Sequence, residues 1–189
     1  MTSIMTREFS PANRHHPELC RTRNQIDSGI RAMINHVVRG ESPWPLVLFG
    51  GAGRGKTCAA LCVLDYWLIE YKQRGVYAIT SEVVSSLGKA RCNRLFYPGG
   101  FLCSEETLWG DWESYGIVCI DELGMRDEVS DTHFEAVKLA IDHRHNKPAI
   151  FVSNIRLSEL VGNYDTRIAS RLRAGTVIEF TGPDRRIRK

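Results

Sequence analysis

No stretch of this sequence is apolar for long enough to cross a bilayer: runs such as Gly116–Ile120 fall far short of the ~20 residues a spanning helix needs. The N-terminal stretch also lacks the unbroken apolar core of a signal peptide, because Arg7, Glu8, Arg14, His15 and His16 interrupt it. These two absences place the chain in the cytoplasm, with no membrane partner. The six cysteines, Cys20, Cys58, Cys62, Cys92, Cys103 and Cys119, form no C-x-x-C pair, which argues against a disulfide scaffold. Cys58 and Cys62 stand four apart in a helical stretch and read as small core residues. His15, His16 and Cys20 have no second ligand pair, which sets zinc aside. Internal repeats and low-complexity segments are missing too. The net charge is only +3, without the dense basic patches of a protein that grips DNA through a broad surface. The terminal Arg185, Arg186, Arg188 and Lys189 read as a solvated tail.

What remains is an ordinary globular composition, 43% hydrophobic and 25% charged over 189 residues, enough for one domain with a sizeable core. Residues 1–23 are polar, carry Pro11 and Pro17, and read as an irregular arm. Residues 24–184 form the domain, and 185–189 the basic tail. Asn24–Val38 has Ile26, Ile30, Met33, Ile34 and Val37 on one face and predicts a helix that Gly40 ends. Short apolar strands then alternate with helices. The strands are expected at Leu46–Phe49, Val76–Thr80, Ile117–Ile120, Ala149–Ser153 and Thr176–Phe180. The helices are expected at Thr57–Tyr71, Ser81–Ala90, Ser104–Trp112, Thr132–His145 (with a Thr132/Glu135 capping box) and Asp165–Leu172. Such alternation implies an α/β fold with a parallel sheet covered on both faces.

Between the first strand and its helix stands Gly50-Gly51-Ala52-Gly53-Arg54-Gly55-Lys56-Thr57, which fits G-x-x-x-x-G-K-[ST] in the context that motif requires. Glycines let the backbone curl so that successive N–H groups face phosphate oxygens, and the positive end of the following helix adds to the field. Lys56 reaches the β- and γ-phosphates, and Thr57 offers a hydroxyl to magnesium. Arg54 is expected to point to solvent. The nucleotide-binding set runs from Gly50 through Thr57 to Cys58. A chance glycine-rich turn would not bring strand, motif and helix into agreement.

The third strand ends in Asp121-Glu122, the form of a Walker B segment. Asp121 would hold magnesium, largely through water, and Glu122 would orient and deprotonate the attacking water. Asn154, after the fourth strand, reads as either a turn residue that stops the strand or an amide aimed at the water or the γ-phosphate; its place at the end of a core strand favours the second. Arg167 and Arg171 are four apart beside the buried stripe of Ile168 and Leu172 and project together from a short helix. Two solvated arginines would look the same in isolation, yet a guanidinium fork also suits a γ-phosphate.

Taken together, GGAGRGKT, IVCIDELG, FVSN and DTRIASRL resemble the AAA+ ATPases, and more narrowly the DnaC-type replicative helicase loaders and the IstB-type transposition helper ATPases. The resemblance covers roughly residues 24–184, with Gly182-Pro183-Asp184-Arg185 following the last strand. It implies a P-loop NTPase fold of the AAA+/ASCE kind, a three-layer sandwich with a five-stranded parallel sheet and no C-terminal lid domain. It implies ATP and Mg2+ as ligands, ATP hydrolysis, and self-assembly in which Arg171, with Arg167 beside it, acts in trans as an arginine finger. It further implies single-stranded DNA and a replicative helicase, or a transposase, as partners. Loaders of this type often carry a separate N-terminal helicase-binding domain; here about 23 residues precede the first helix. The expected function is ATP-dependent helicase loading in DNA replication. The transposase-helper alternative shares the whole ATP core, and gene neighbourhood would separate the two. A small-molecule P-loop kinase is disfavoured by Glu122, Asn154 and the arginine pair, and a non-hydrolysing adaptor by the intact Lys56, Thr57, Asp121 and Glu122.

Overall fold

The computed structural model describes residues 7–9, 28–97, 99–124 and 130–184. The apolar runs become strands β2 (Leu46–Phe49), β3 (Gly75–Ile79), β4 (Ile117–Leu123), β5 (Ala149–Ser153) and β6 (Thr176–Glu179). These five pair in parallel in the order β3-β4-β5-β2-β6. The sheet gains a sixth strand, β1 (Arg7–Phe9), antiparallel on the outer edge of β3. It lies within the arm expected to be irregular. Three residues are too few to show an alternation, but the free edge of β3 supplies backbone partners. Phe9 is buried, and Glu8 pairs with Arg74 at 3.0 Å.

Strand side chains alternate between faces, so each strand feeds two cores. Leu46, Leu48, Ile150 and Val152 pack on one face under α1 (Ser28–Val38) and α2 (Lys56–Glu70). Val47, Val118, Ile120 and Phe151 pack on the other face. That face is covered by α3 (Thr80–Arg91), α4 (Glu105–Ser114), α5 (Asp131–Asp142), α6 (Leu157–Asn163) and α7 (Thr166–Arg173). Fully burying one such aliphatic side chain contributes roughly 1.5–3 kcal/mol, and burial on both faces is why the strands read as unbroken apolar runs.

Several boundaries move. The part of the first helix expected over residues 24–27 lies outside the described residues, as do His15, His16, Cys20 and the basic tail. The α5 cap is Ser130, whose side chain accepts from the His133 N–H at 3.3 Å, in place of the Thr132/Glu135 box. Glu135 instead binds Arg91. Helix α6, seven residues long and burying Leu157 and Leu160, was too short to register as a period. Among the described residues no helix is long and apolar enough to cross a membrane.

Candidate nucleotide site

The loop Gly50–Gly55 joins the end of β2 to the start of α2. Gly50 (φ 137°) lies so close to Phe180 O that a Cβ there would overlap it, and a Cβ on Gly53 (φ 70°) would overlap the Asp184 carboxylate. Only glycine meets both demands. Lys56 is buried and its Nζ donates to Gly50 O at 2.7 Å and Gly51 O at 2.8 Å, holding the loop closed over its own lysine. Arg54 departs from expectation. It is half-buried and donates from Nη1 to Phe180 O at 3.1 Å, and its guanidinium also crosses Gly51. The segment 180–184 therefore straps the loop, through Phe180 and Asp184, a contact the linear sequence does not display. Cys58 is half-buried in the first turn of α2.

The end of β4 comes to the same place. Thr57 Oγ1 donates to Asp121 Oδ2 at 2.6 Å, joining the two groups that would hold magnesium. The Asp121 carboxylate is buried and also accepts from Tyr77 OH at 2.7 Å and from the Glu122 N–H at 2.7 Å. Thr80 Oγ1 donates to its carbonyl at 2.9 Å. A neutral hydroxyl beside a carboxylate, both aimed at one point, is the oxygen-donor set a small hard cation takes. Two residues earlier on β4, burial first and the Asp121 charge second hold the Cys119 thiol well above its ordinary range, so it is an inert core group.

Glu122 is exposed and left-handed, with φ 61°. Its strain has a visible cause. From Ile120 to Leu123 β4 spends three steps where β5 spends two, from Phe151 to Ser153. The extra residue makes a bulge that turns Glu122 out of the sheet, a device common beside active sites. Strand β5 lies between β2 and β4, with Ser153 opposite both Phe49 and Leu123. Asn154, the next residue, is half-buried and follows the strand that lies between β2, which leads into the phosphate loop, and the bulged β4. Ser153 fixes that turn: its Oγ donates to Leu123 O at 2.8 Å and accepts from the Ile155 N–H at 3.2 Å. Ser153 and Tyr77 escaped sequence reasoning, since they join the site only through strand register.

Arg171 sits apart from this cluster. Asp165 caps α7 as expected, accepting from the Ile168 N–H at 2.8 Å. Helix α7 ends at Arg173 and the chain then reaches Thr176, whose N–H binds Pro45 O at 2.9 Å, just before β2 begins. Its C-terminal end thus lies at the edge where the parallel strands start, whereas the phosphate loop lies where they end. Arg171 pairs there with Asp142 of α5. With Pro43, Pro45 and Arg144 it lines a cavity of about 310 Å³. Arg167, a turn earlier, is exposed. Expected to project together, the two arginines therefore have different surroundings.

No protein-family model and no curated relative matches this chain. Solved structures do match. A crystal structure of the DnaC helicase loader shares 18% identity at TM-score 0.70, over 89% of this chain and 99% of that one. DnaI shares 18% at TM-score 0.66, over 92% and 95%. The replication initiator DnaA bound to AMPPCP and single-stranded DNA shares 14% at TM-score 0.65, over 87% and 50%. The chain spans about half the length of two of the DnaA chains it matches. At these identities the likeness is one of fold: a three-layer α/β sandwich of the P-loop type.

Proposed function

We propose that this chain is a magnesium-dependent ATPase of the AAA+ class that acts in DNA replication as a helicase loader of the DnaC type. The observation that carries the ATPase reading is the 2.6 Å contact between Thr57 and Asp121, which joins the phosphate loop to the acidic end of β4. The loop N–H groups and Lys56 bind the phosphates; Lys56 exchanges its two loop carbonyls for phosphate oxygens. Thr57 and Asp121 would hold magnesium, which would supply charge neutralisation at the phosphates when bound. Glu122, turned out at the bulge, takes the proton of the attacking water, and Asn154 positions that water. An activator carboxylate beside Asp121 favours hydrolysis over transfer to a metabolite. The loader reading is supported by the shared fold of DnaC and DnaI over nearly their whole chains. A DnaA of this fold bound to AMPPCP and single-stranded DNA makes both ligands reasonable to test.

Glu122→Gln keeps the side chain's shape and removes the base, so it should bind ATP normally and hydrolyse it about 100- to 10,000-fold more slowly. Turnover near wild type, with unchanged ATP affinity by calorimetry, removes Glu122 from this role. For DNA, anisotropy of a labelled single-stranded oligonucleotide at two salt concentrations should show binding that weakens steeply with salt. No binding in the presence of ATP points to an ATPase that acts on protein partners alone.

A further inference from the structure

Glu122 and Asn154 belong to neighbouring strands, and one hydroxyl joins the ends of those strands. Ser153 closes β5 and is 1% accessible. The four residues before it in the strand are apolar and buried. An alanine would extend that run with no polar atom to satisfy. The serine hydroxyl is instead engaged on both sides. Its Oγ donates to Leu123 O at 2.8 Å and accepts from the Ile155 N–H at 3.2 Å. One buried side chain thus bonds the residue after Glu122 and the residue after Asn154.

The site needs such an anchor. Glu122 is left-handed at a bulge, where the strand ladder is interrupted. A glutamate in that conformation persists only when its surroundings over-determine it. On the near side, Asp121 Oδ1 accepts from the Glu122 N–H at 2.7 Å, and Thr80 Oγ1 donates to the Asp121 carbonyl at 2.9 Å. On the far side, Ser153 holds the Leu123 carbonyl. Gly124 follows, left-handed with φ 78°, and a Cβ on it would overlap Ile155 Cδ1. The ends of β4 and β5 therefore meet twice, through the Ser153 hydroxyl and through the packing of Gly124 against Ile155. A shift at either end strains the other.

We infer that Ser153 is a positioning residue shared by Glu122 and Asn154: its hydroxyl locks the base and the amide into one geometry, through Leu123 on one side and Ile155 on the other. The inference rests on the proposed ATPase reading, in which Glu122 takes the proton and Asn154 positions the water. Ser153→Ala should lower kcat for Mg-ATP by about 10- to 100-fold, the scale of misplacing a reacting group by about 1 Å. The KM for ATP should stay at its wild-type value, because Lys56 and the phosphate loop keep their own bonds. Two further variants separate the hydroxyl from the shape of the side chain. Ser153→Thr and Ser153→Val bring the same branched shape into the buried site, and only the first keeps a hydroxyl. Ser153→Thr should therefore turn over ATP about 10-fold faster than Ser153→Val, or more. Equal rates for these two overturn the inference. So does a Ser153→Ala protein with wild-type kcat, or one whose loss lies in KM. A merely structural role would lower the urea midpoint of Ser153→Ala and leave the kcat of the folded protein unchanged, which overturns it as well. Glu122→Gln, assayed beside these variants, reports on the ATPase reading separately. Turnover near wild type in Glu122→Gln condemns the base, whereas a slow Glu122→Gln beside a normal Ser153→Ala condemns the positioning role alone.

Discussion

Asp121 has one carboxylate and three side-chain or backbone donors on it, and Tyr77 is the least obvious of these. Tyr77 lies opposite Cys119 across the β3–β4 pair. Asp121, two residues further along β4, shares that face, and the long tyrosine side chain reaches it diagonally. Its hydroxyl fixes the carboxylate that Thr57 also touches. Tyr77→Phe keeps the buried ring and removes the hydroxyl that makes that bond. Outer partners of metal ligands are worth 10- to 100-fold in metal affinity. The magnesium concentration that half-activates ATP hydrolysis should therefore rise by about that factor, with turnover at saturating magnesium close to wild type. A magnesium titration that superimposes on wild type removes Tyr77 from the site. Lys56, Thr57, Asp121 and Glu122 were legible in the sequence because their chemistry is written in contiguous residues. Tyr77, Ser153, Phe180 and Asp184 were not, because each meets the site across strand register or by the return of the chain after β6. Arg54 was misjudged for the same reason: its acceptor, Phe180 O, is 126 residues away.

At the scale of elements, Arg144 ties together two connections that the alternating pattern only implied. It is buried just after α5 and donates to Trp112 O at 3.2 Å, Tyr115 O at 2.9 Å and Pro148 O at 2.7 Å. It thereby binds the α4–β4 turn to the α5–β5 turn, at the edge where both strands begin. Burial pushes its pKa down to about 10, and the Glu113 carboxylate offsets part of that. Arg144→Ala removes this donor from all three carbonyls, of which Pro148 O keeps the Val118 N–H at 3.3 Å, and opens a gap. The expected loss is about 2–4 kcal/mol, read as a lower urea midpoint with an unchanged slope. The folded pKa lies below the unfolded one, so the cation is the disfavoured form in the fold, and stability from this group rises only as pH climbs through about 10. Below that the arginine is charged in both states, and the loss should be flat from about pH 6 to 9. A loss under about 0.5 kcal/mol would show that water satisfies the carbonyls instead. The five parallel strands and the long helices were readable because apolar runs and 3.6-residue stripes report burial directly. Strand β1 and helix α6 were not, since three or seven residues hold too little of either period and depend on what they pack against.

For the whole molecule the question is which copy completes the site. Helix α7 delivers Arg171 to the edge where the strands begin, away from its own phosphate loop, and pairs it with Asp142. Both partners of that pair are partly exposed, with side chains 40% and 30% accessible, so removing it costs the fold only about 0–1 kcal/mol. Arg171→Ala should accordingly fold and bind ATP as the wild type does. If Arg171 exchanges Asp142 for the γ-phosphate of a neighbouring copy, hydrolysis should drop on the order of 1,000-fold, the scale of a trans-acting arginine. Lys56→Ala should fail for the opposite reason, keeping its arginine while losing its own phosphates. Mixed in one tube, the two proteins form interfaces at which an Arg171→Ala copy supplies an intact pocket and a Lys56→Ala copy supplies the arginine. Activity of the mixture should exceed the sum of the separate proteins and climb with total concentration, because association is at least bimolecular. Exposed Arg167 provides the control: an Arg167→Ala copy that is equally inactive and equally rescued by Lys56→Ala would make it a second trans-acting group, whereas near-normal activity would leave the role to Arg171. A mixture of Arg171→Ala and Lys56→Ala that only adds, at every concentration, rules out Arg171 as a residue shared between copies and leaves its pairing with Asp142 as a structural link between α5 and α7.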